Sequence, residues 1–307
     1  MPRTLKLVIA YDGSAYAGWQ RQANAQSIQA VIEDEIAVIV GAHNPLVAAG
    51  RTDSGVHAAA QVASITIDHP IPCDELLRAL NARLKAGDIR IRAIEETFDR
   101  FDARIYAKTK TYRYAIWNGP APSPFLRHVM WHVPAALDLD RMAAASKALV
   151  GEHDFAAFQG RGSDVKTTVR RLISVELREV DINTDQPVAL PPLPTDPSRA
   201  RGRLLRLEVT GTGFLRHMVR TIAGTLAEIG TGSSSIPSRT HFSTPAGRPP
   251  FHSSIMYMCQ ASWKLTMALF SLPASVMGII HEVPGRLMLY WYGPISVALW
   301  APGMRVM

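Results

Sequence analysis

The chain has 307 residues, 47% of them hydrophobic, and a mean hydropathy of +0.03, which suits a globular protein with a large core and room for two domains. Thirty-three Lys and Arg against 26 Asp and Glu leave a formal charge of +7, which favours a polyanionic partner. Two cysteines, Cys73 and Cys259, give neither a disulfide framework nor a metal set, and suit a reducing cytoplasm.

No charged-then-apolar leader opens the chain, and Lys6 to Tyr11 reads as a strand. Ser27 is placed to cap a helix in which Ile28, Val31, Ile32, Ile36 and Ile39 recur at helical spacing. Asp74 is placed to cap a second, with Leu76, Leu77, Leu80 and Leu84 turned inward. Both stripes read as core. Arg104 to Trp117 reads as a strand whose one face carries Tyr106, Lys108, Lys110, Tyr112 and Tyr114. Aromatics interleaved with cations on one sheet face would make a platform for bases and phosphates. The alternative is that the tyrosines pack over a core while the lysines snorkel. The repetition of lysine on the tyrosine face favours the platform.

Asp140 to Gly151 predicts a helix, and Arg171 to Ile182 and Arg203 to Thr210 predict two strands. Between those strands, Asn183 to Gly202 holds five prolines and reads as a surface loop. Gly213-Phe214 leads into a helix reaching about Gly230, with Leu215, Met218, Val219, Ile222 and Leu226 as its apolar stripe. Arg216, His217 and Arg220 stand near its start. At one helical turn apart, Arg216 and Arg220 form either a phosphate clamp or a solvated polar edge.

The tail departs from the rest. From Ser233 to Met307 the only acidic residue is Glu282, and seven of the 11 methionines fall there. Its two long uncharged stretches are broken by Pro273, and by Pro294 and Pro302, so neither makes a convincing membrane-spanning helix. No membrane is expected as a partner.

The richest nine residues are Gly50-Arg51-Thr52-Asp53-Ser54-Gly55-Val56-His57-Ala58. Glycines around polar residues at a strand start make a turn on their own account. This one also holds an acid, with an arginine two positions before it. On extended backbone the two side chains share a face, and the guanidinium would hold the carboxylate ionised. A carboxylate kept as an anion in a cleft is a candidate nucleophile or base.

This string resembles the signature of the tRNA pseudouridine synthase A (TruA) family. Tyr11-Asp12-Gly13-Ser14 and Tyr16-Ala17-Gly18-Trp19-Gln20-Arg21-Gln22 resemble its opening. Asn81-Ala82-Arg83-Leu84, Gly87-Asp88-Ile89, Phe101-Asp102-Ala103-Arg104, Thr111-Tyr112-Arg113-Tyr114, Gly151-Glu152-His153-Asp154-Phe155 and Gly213 to Arg220 follow in the family's order. The resemblance implies an α/β (α+β) fold with two α/β domains around antiparallel sheets and the active-site cleft between them. Residues 1–106 would form the domain with the catalytic aspartate, and 107–232 the second. Residues 233–307 lack the recognisable pattern of the family's terminal strand, so an altered reading frame or an extension is expected there. That loss predicts weak stability and weak or absent activity.

The resemblance also implies a cytoplasmic homodimer that isomerises uridine to pseudouridine at positions 38 to 40 of the tRNA anticodon stem–loop. That reaction is redox-neutral and needs no metal or other cofactor. Asp53 matches the essential aspartate and Tyr112 the active-site tyrosine, whose ring would stack on the extruded base. Arg51 would pair with Asp53 or guide phosphate, and Lys108, Lys110, Arg216 and Arg220 would bind tRNA. Asp-Ser-Gly also occurs in aspartic proteases, but a neighbouring guanidinium opposes the shared proton of their dyad. The better rival is a non-catalytic RNA-binding protein derived from the same family.

Overall fold

The computed structural model describes residues 1–84, 86–121, 129–160, 162, 165–180 and 202–233, and the backbone of 256–259, 279–283, 286–290 and 298–300. In chain order these form β1 (Arg3–Tyr11), α1 (Ile28–Val40), β2 (Val47–Ala48), β3 (Ala58–Ile67), α2 (Cys73–Arg83) and β4 (Ile89–Thr97). Then come α3 (Ala103–Tyr106), β5 (Lys110–Asn118), β6 (Trp131–Val133), α4 (Leu139–Ala148), β7 (Gly151–Asp154), β8 (Val169–Val180), β9 (Arg203–Gly211) and α5 (Met218–Gly230). Four further strands follow: β10 (Met256–Cys259), β11 (Ile279–Val283), β12 (Arg286–Tyr290) and β13 (Ala298–Trp300).

Local signals explain most of these elements. In β1, Leu5, Leu7, Ile9 and Tyr11 alternate into the core, the period-two pattern of a strand. The Ser27 side chain accepts from the Ala30 N–H, and α1 ends on Gly41 in the left-handed region. Asp74 is not a cap: α2 starts after Pro72, which leaves Asp74 in the first turn, where its charge still meets the positive helix end. The Asp140 helix begins earlier, capped by Asp138.

One sheet runs β4-β1-β3-β10-β5-β9-β8-β7, with β2 added on β3 and β6 on β5. All its pairings are antiparallel except β10 with β3 and β6 with β5. Strands β1 to β4, within residues 3–97, supply one half of the sheet, and β5 to β9, within residues 110–211, supply the other. Helices α1 and α2 pack together beside β4; α4 and α5 pack together against β8 and β5. One buried cluster runs from Leu7 through Tyr114 and Leu207 to Ile222, so the two halves share a core.

The tail supplies a strand that its sequence pattern does not announce. Met258 pairs with Ala58 on one side and Tyr112 on the other, so β10 fills the seam between the halves. A short segment flanked by two strands gains ladder hydrogen bonds on both edges, whatever its side-chain pattern. Residues Met1–Trp263 make one compact unit; Lys264–Met307 make a second, an antiparallel sheet β11-β12-β13. Most of the proline-rich stretch lies outside the described residues. Among them no helix is long and apolar enough to cross a membrane.

Candidate active site

The loop from Ala49 to His57 joins β2 to β3 and is held from behind by the turn after β1. Trp19 N–H donates to the Thr52 carbonyl at 3.0 Å, and the Ser54 hydroxyl donates to the Tyr16 carbonyl at 3.2 Å. The Tyr11 and Thr52 hydroxyls share a buried hydrogen bond of 2.8 Å. His57 Nδ1 lies 3.0 Å from an Asp12 carboxylate oxygen. Gln61 donates to the Gly50 carbonyl at 2.6 Å. Two glycines permit this closeness. A Cβ on Gly13 would lie 2.1 Å from the Val56 carbonyl oxygen, and one on Gly18, at φ +101°, would lie 2.6 Å from that of Thr52. The two strings that stand 30-odd residues apart in sequence are thus one interlocked structure.

A second network fixes the neighbouring wall. Glu33, 1% exposed, accepts from the Leu46 N–H and the Gln29 amide at 2.8 Å each, and pairs with Arg21 at 2.7 Å. Such a buried carboxylate persists because every partner is in place.

Asp53 opens from the interlocked loop into a cleft of about 800 Å³. That falls within the roughly 300–1,000 Å³ of small-molecule sites. Tyr112 and Phe214 line it, their rings edge to face with centroids 4.7 Å apart. Burial, and secondarily the Asp53 charge, hold the Tyr112 hydroxyl well above the usual phenol range. Tyr112 is therefore a neutral phenol at working pH. Arg51, Arg104, Lys110 and Arg216 also line the cleft. Burial, and then the Arg104 charge, hold Lys110 below its ordinary pKa.

Asp53 does not have Arg51 as its ion partner. His217 Nε2 lies 3.6 Å from its Oδ2, whereas exposed Arg51 pairs with no described carboxylate. The backbone from Arg51 to Asp53 lies outside any strand, so the same-face argument does not apply. Arg220 reaches the Ser54 carbonyl at 3.4 Å, and Arg216 the Gly162 carbonyl at 3.3 Å. They form no helical clamp, because α5 starts only at Met218 and Arg216 sits in the preceding turn.

The aromatic platform is also replaced. Asp102 caps α3 through the Arg104 and Ile105 N–H groups, turning Ala103–Tyr106 into a helix. Tyr106 then stacks on Phe101, Tyr114 is fully buried, and exposed Lys108 precedes the strand. Only Tyr112 and Lys110 of that alternating face reach the cleft. Two lining residues, Arg104 and His217, carried no site assignment in the sequence. Asp102, an acid directly before the turn that ends at Tyr106, was the signal for the first. Nothing local signals the second.

Comparison with known proteins identifies the family. The model of a family described as tRNA pseudouridine synthase matches residues 7–104 and 145–242. The tRNA pseudouridine synthase A of Citrifermentans bemidjiense is 41% identical over 76% of this chain and 85% of its own length. That of Geotalea uraniireducens is 42% identical over 76% and 86%, and that of Acetivibrio thermocellus 41% over 75% and 85%. An aspartate interlocked at the floor of a cation-lined cleft, and this degree of likeness on both sides of it, place the chain in the tRNA pseudouridine synthase A family.

Proposed function

We propose that this chain isomerises uridine in tRNA to pseudouridine, with Asp53 as the covalent residue. The observation that carries this reading is the placement of Asp53: one third exposed, on a clamped loop, in a cleft shared with Tyr112. The carboxylate adds to the nucleoside, and the N1–C1′ bond breaks. The uracil turns, C5 joins C1′, and the carboxylate departs. C5 loses a proton and N1 gains one, so atoms and electrons balance within the substrate. The neutral Tyr112 contributes its ring as a stacking face and its hydroxyl as a hydrogen-bonding group. Extruding a base costs a few kcal/mol, which contacts from Arg51, Arg104, Lys110 and Arg216 to phosphate offset.

The target within tRNA is the anticodon stem–loop, positions 38 to 40, and the working form is a homodimer in which one subunit docks the tRNA on which the other reacts. Shape then replaces sequence readout. The placement of β10 against both Ala58 and Tyr112 supports an active site that the tail completes, and weighs against a binding-only protein. Pseudouridine mapping on tRNA incubated with the purified chain tests the reading. Wild type should modify the anticodon stem–loop, and Asp53→Asn should bind tRNA without modifying it. Pseudouridine formation by Asp53→Asn would remove the covalent assignment.

A further inference from the structure

Only two non-glycine residues among those described have a positive φ, and one of them, His217 at φ 60°, ψ 3°, faces Asp53. A histidine in the left-handed region carries backbone strain, which persists where the surroundings dictate it and collects at functional sites. Here the surroundings are specific. Leu215 and Met218, on either side of His217, are buried, so the chain enters α5 on fixed anchors. The Gly160 N–H donates to the Arg216 carbonyl at 2.8 Å, which pins a second segment against the turn. That segment leaves no room behind the ring: a Cβ on Gly160 would lie 2.7 Å from His217 Nδ1 and 3.0 Å from its Cγ. The imidazole is thus pressed from the Gly160 side and reaches Asp53 with Nε2 at 3.6 Å.

We propose that His217 is a positioning residue for Asp53, its ring held between the Gly160 backbone and the carboxylate so that the nucleophile is aimed before substrate arrives. The inference rests on the assignment of Asp53 as the covalent residue. A carboxylate on a partly exposed loop has rotational freedom that a ring fixed beside it, with Nε2 at 3.6 Å, restricts. Preorganisation of that kind acts on the chemical step and not on the affinity for RNA.

The test separates backbone from ring. His217→Gly relieves the left-handed strain and deletes the imidazole, so its unfolding temperature should equal or exceed that of wild type. Its single-turnover rate on tRNA should fall at least tenfold with tRNA affinity unchanged. His217→Gln, which keeps an N–H donor, should recover part of the loss. Gly160→Ala should slow the chemical step in an otherwise wild-type chain, yet add much less in the His217→Gly background, where only the looser 3.3 Å contact of its Cβ with the Arg216 carbonyl oxygen remains. A readout independent of turnover is the NMR titration of the His217 ring. It should move to lower pH in Asp53→Asn, since an anion beside an imidazole favours the charged form. Arg216 on the same turn, Arg220 in the first turn of α5 and Arg51 on the facing loop are present in both proteins and cancel.

Wild-type turnover by a His217→Gly protein, full additivity of the Gly160 effect, or an unmoved titration would each overturn the proposal. Absence of pseudouridine from wild type, with the titration shift present, would instead overturn the assignment of the reaction.

Discussion

Gly18→Ala should damage the enzyme more than any strain argument alone allows. Gly18 sits at φ +101°, where an added Cβ costs roughly 1–2 kcal/mol from backbone strain. Its Cβ would also lie 2.6 Å from the Thr52 carbonyl oxygen and 3.1 Å from the Asp53 carbonyl carbon. To regain ordinary contact at 3.4 Å, the loop must retreat by about 0.8 Å. Overpacking of that kind costs roughly 1–3 kcal/mol, for a total of about 2–5 kcal/mol. At about 2–4 °C per kcal/mol for a chain of this size, the unfolding temperature falls by about 4–20 °C. The retreat also carries Asp53, and a 1 Å misplacement is worth about 100-fold in rate, so turnover should fall by roughly 10–100-fold. Gly41→Ala is the control: it has φ +75°, open space beyond and no part in the cleft. It should lose only the backbone term and keep full turnover. Thermal unfolding and single-turnover pseudouridine formation on both variants decide the matter. Equal behaviour of the two would mean that the contact with Thr52 does not govern the loop.

Tyr112→Phe keeps the ring and should slow turnover with little loss of stability, whereas Tyr112→Ala empties a buried aromatic site and should cost about 3–5 kcal/mol as well as binding of the flipped base. Unchanged turnover in both would remove Tyr112 from the site. Lys110→Met should raise the unfolding temperature at neutral pH while weakening tRNA binding and flattening its salt dependence. The sign follows from burial and Arg104, which push the Lys110 pKa below its unfolded value. The folded chain therefore bears a penalty below the folded pKa, and this penalty fades as pH rises toward the ordinary lysine range. A stability gain that persists undiminished above that range would contradict it. Truncation after Trp263 should retain turnover, and truncation after Ser233, which removes β10, should abolish it; two equally active proteins would show that the seam strand is dispensable.

The elements with a regular period were legible in the sequence: β1, α1, β8 and β9 fall where alternation or helical spacing puts them. The Arg104–Trp117 stretch was not, because a local cap at Asp102 outcompetes the extended reading before Lys110. Strand β10 was invisible for a different reason. Its backbone pairs with two strands, and nothing in Met256–Cys259 announces such pairing. Asp53 and Tyr112 stood out because their surrounding strings are rare. The partner of Asp53 did not, since its approach depends on a left-handed turn and on Gly160, and neither leaves a pattern within a short window.

The position of β10 also sets an order of events during synthesis. A nascent chain emerges N-terminus first, so β3 and β5 are available long before Met256–Cys259. Until then each presents an open edge, the kind of surface that recruits foreign strands. Closing the seam pairs Met258 with Ala58 across 200 residues, a slow, entropically demanding step. Because Ala58 follows the Asp53 loop and Tyr112 lies on the far side of the same gap, β10 ties these two segments together only once nearly the whole of the first unit has been made. A product that stops short of Met256 would keep both edges uncovered at the seam, and so would be prone to pair with strands of its neighbours.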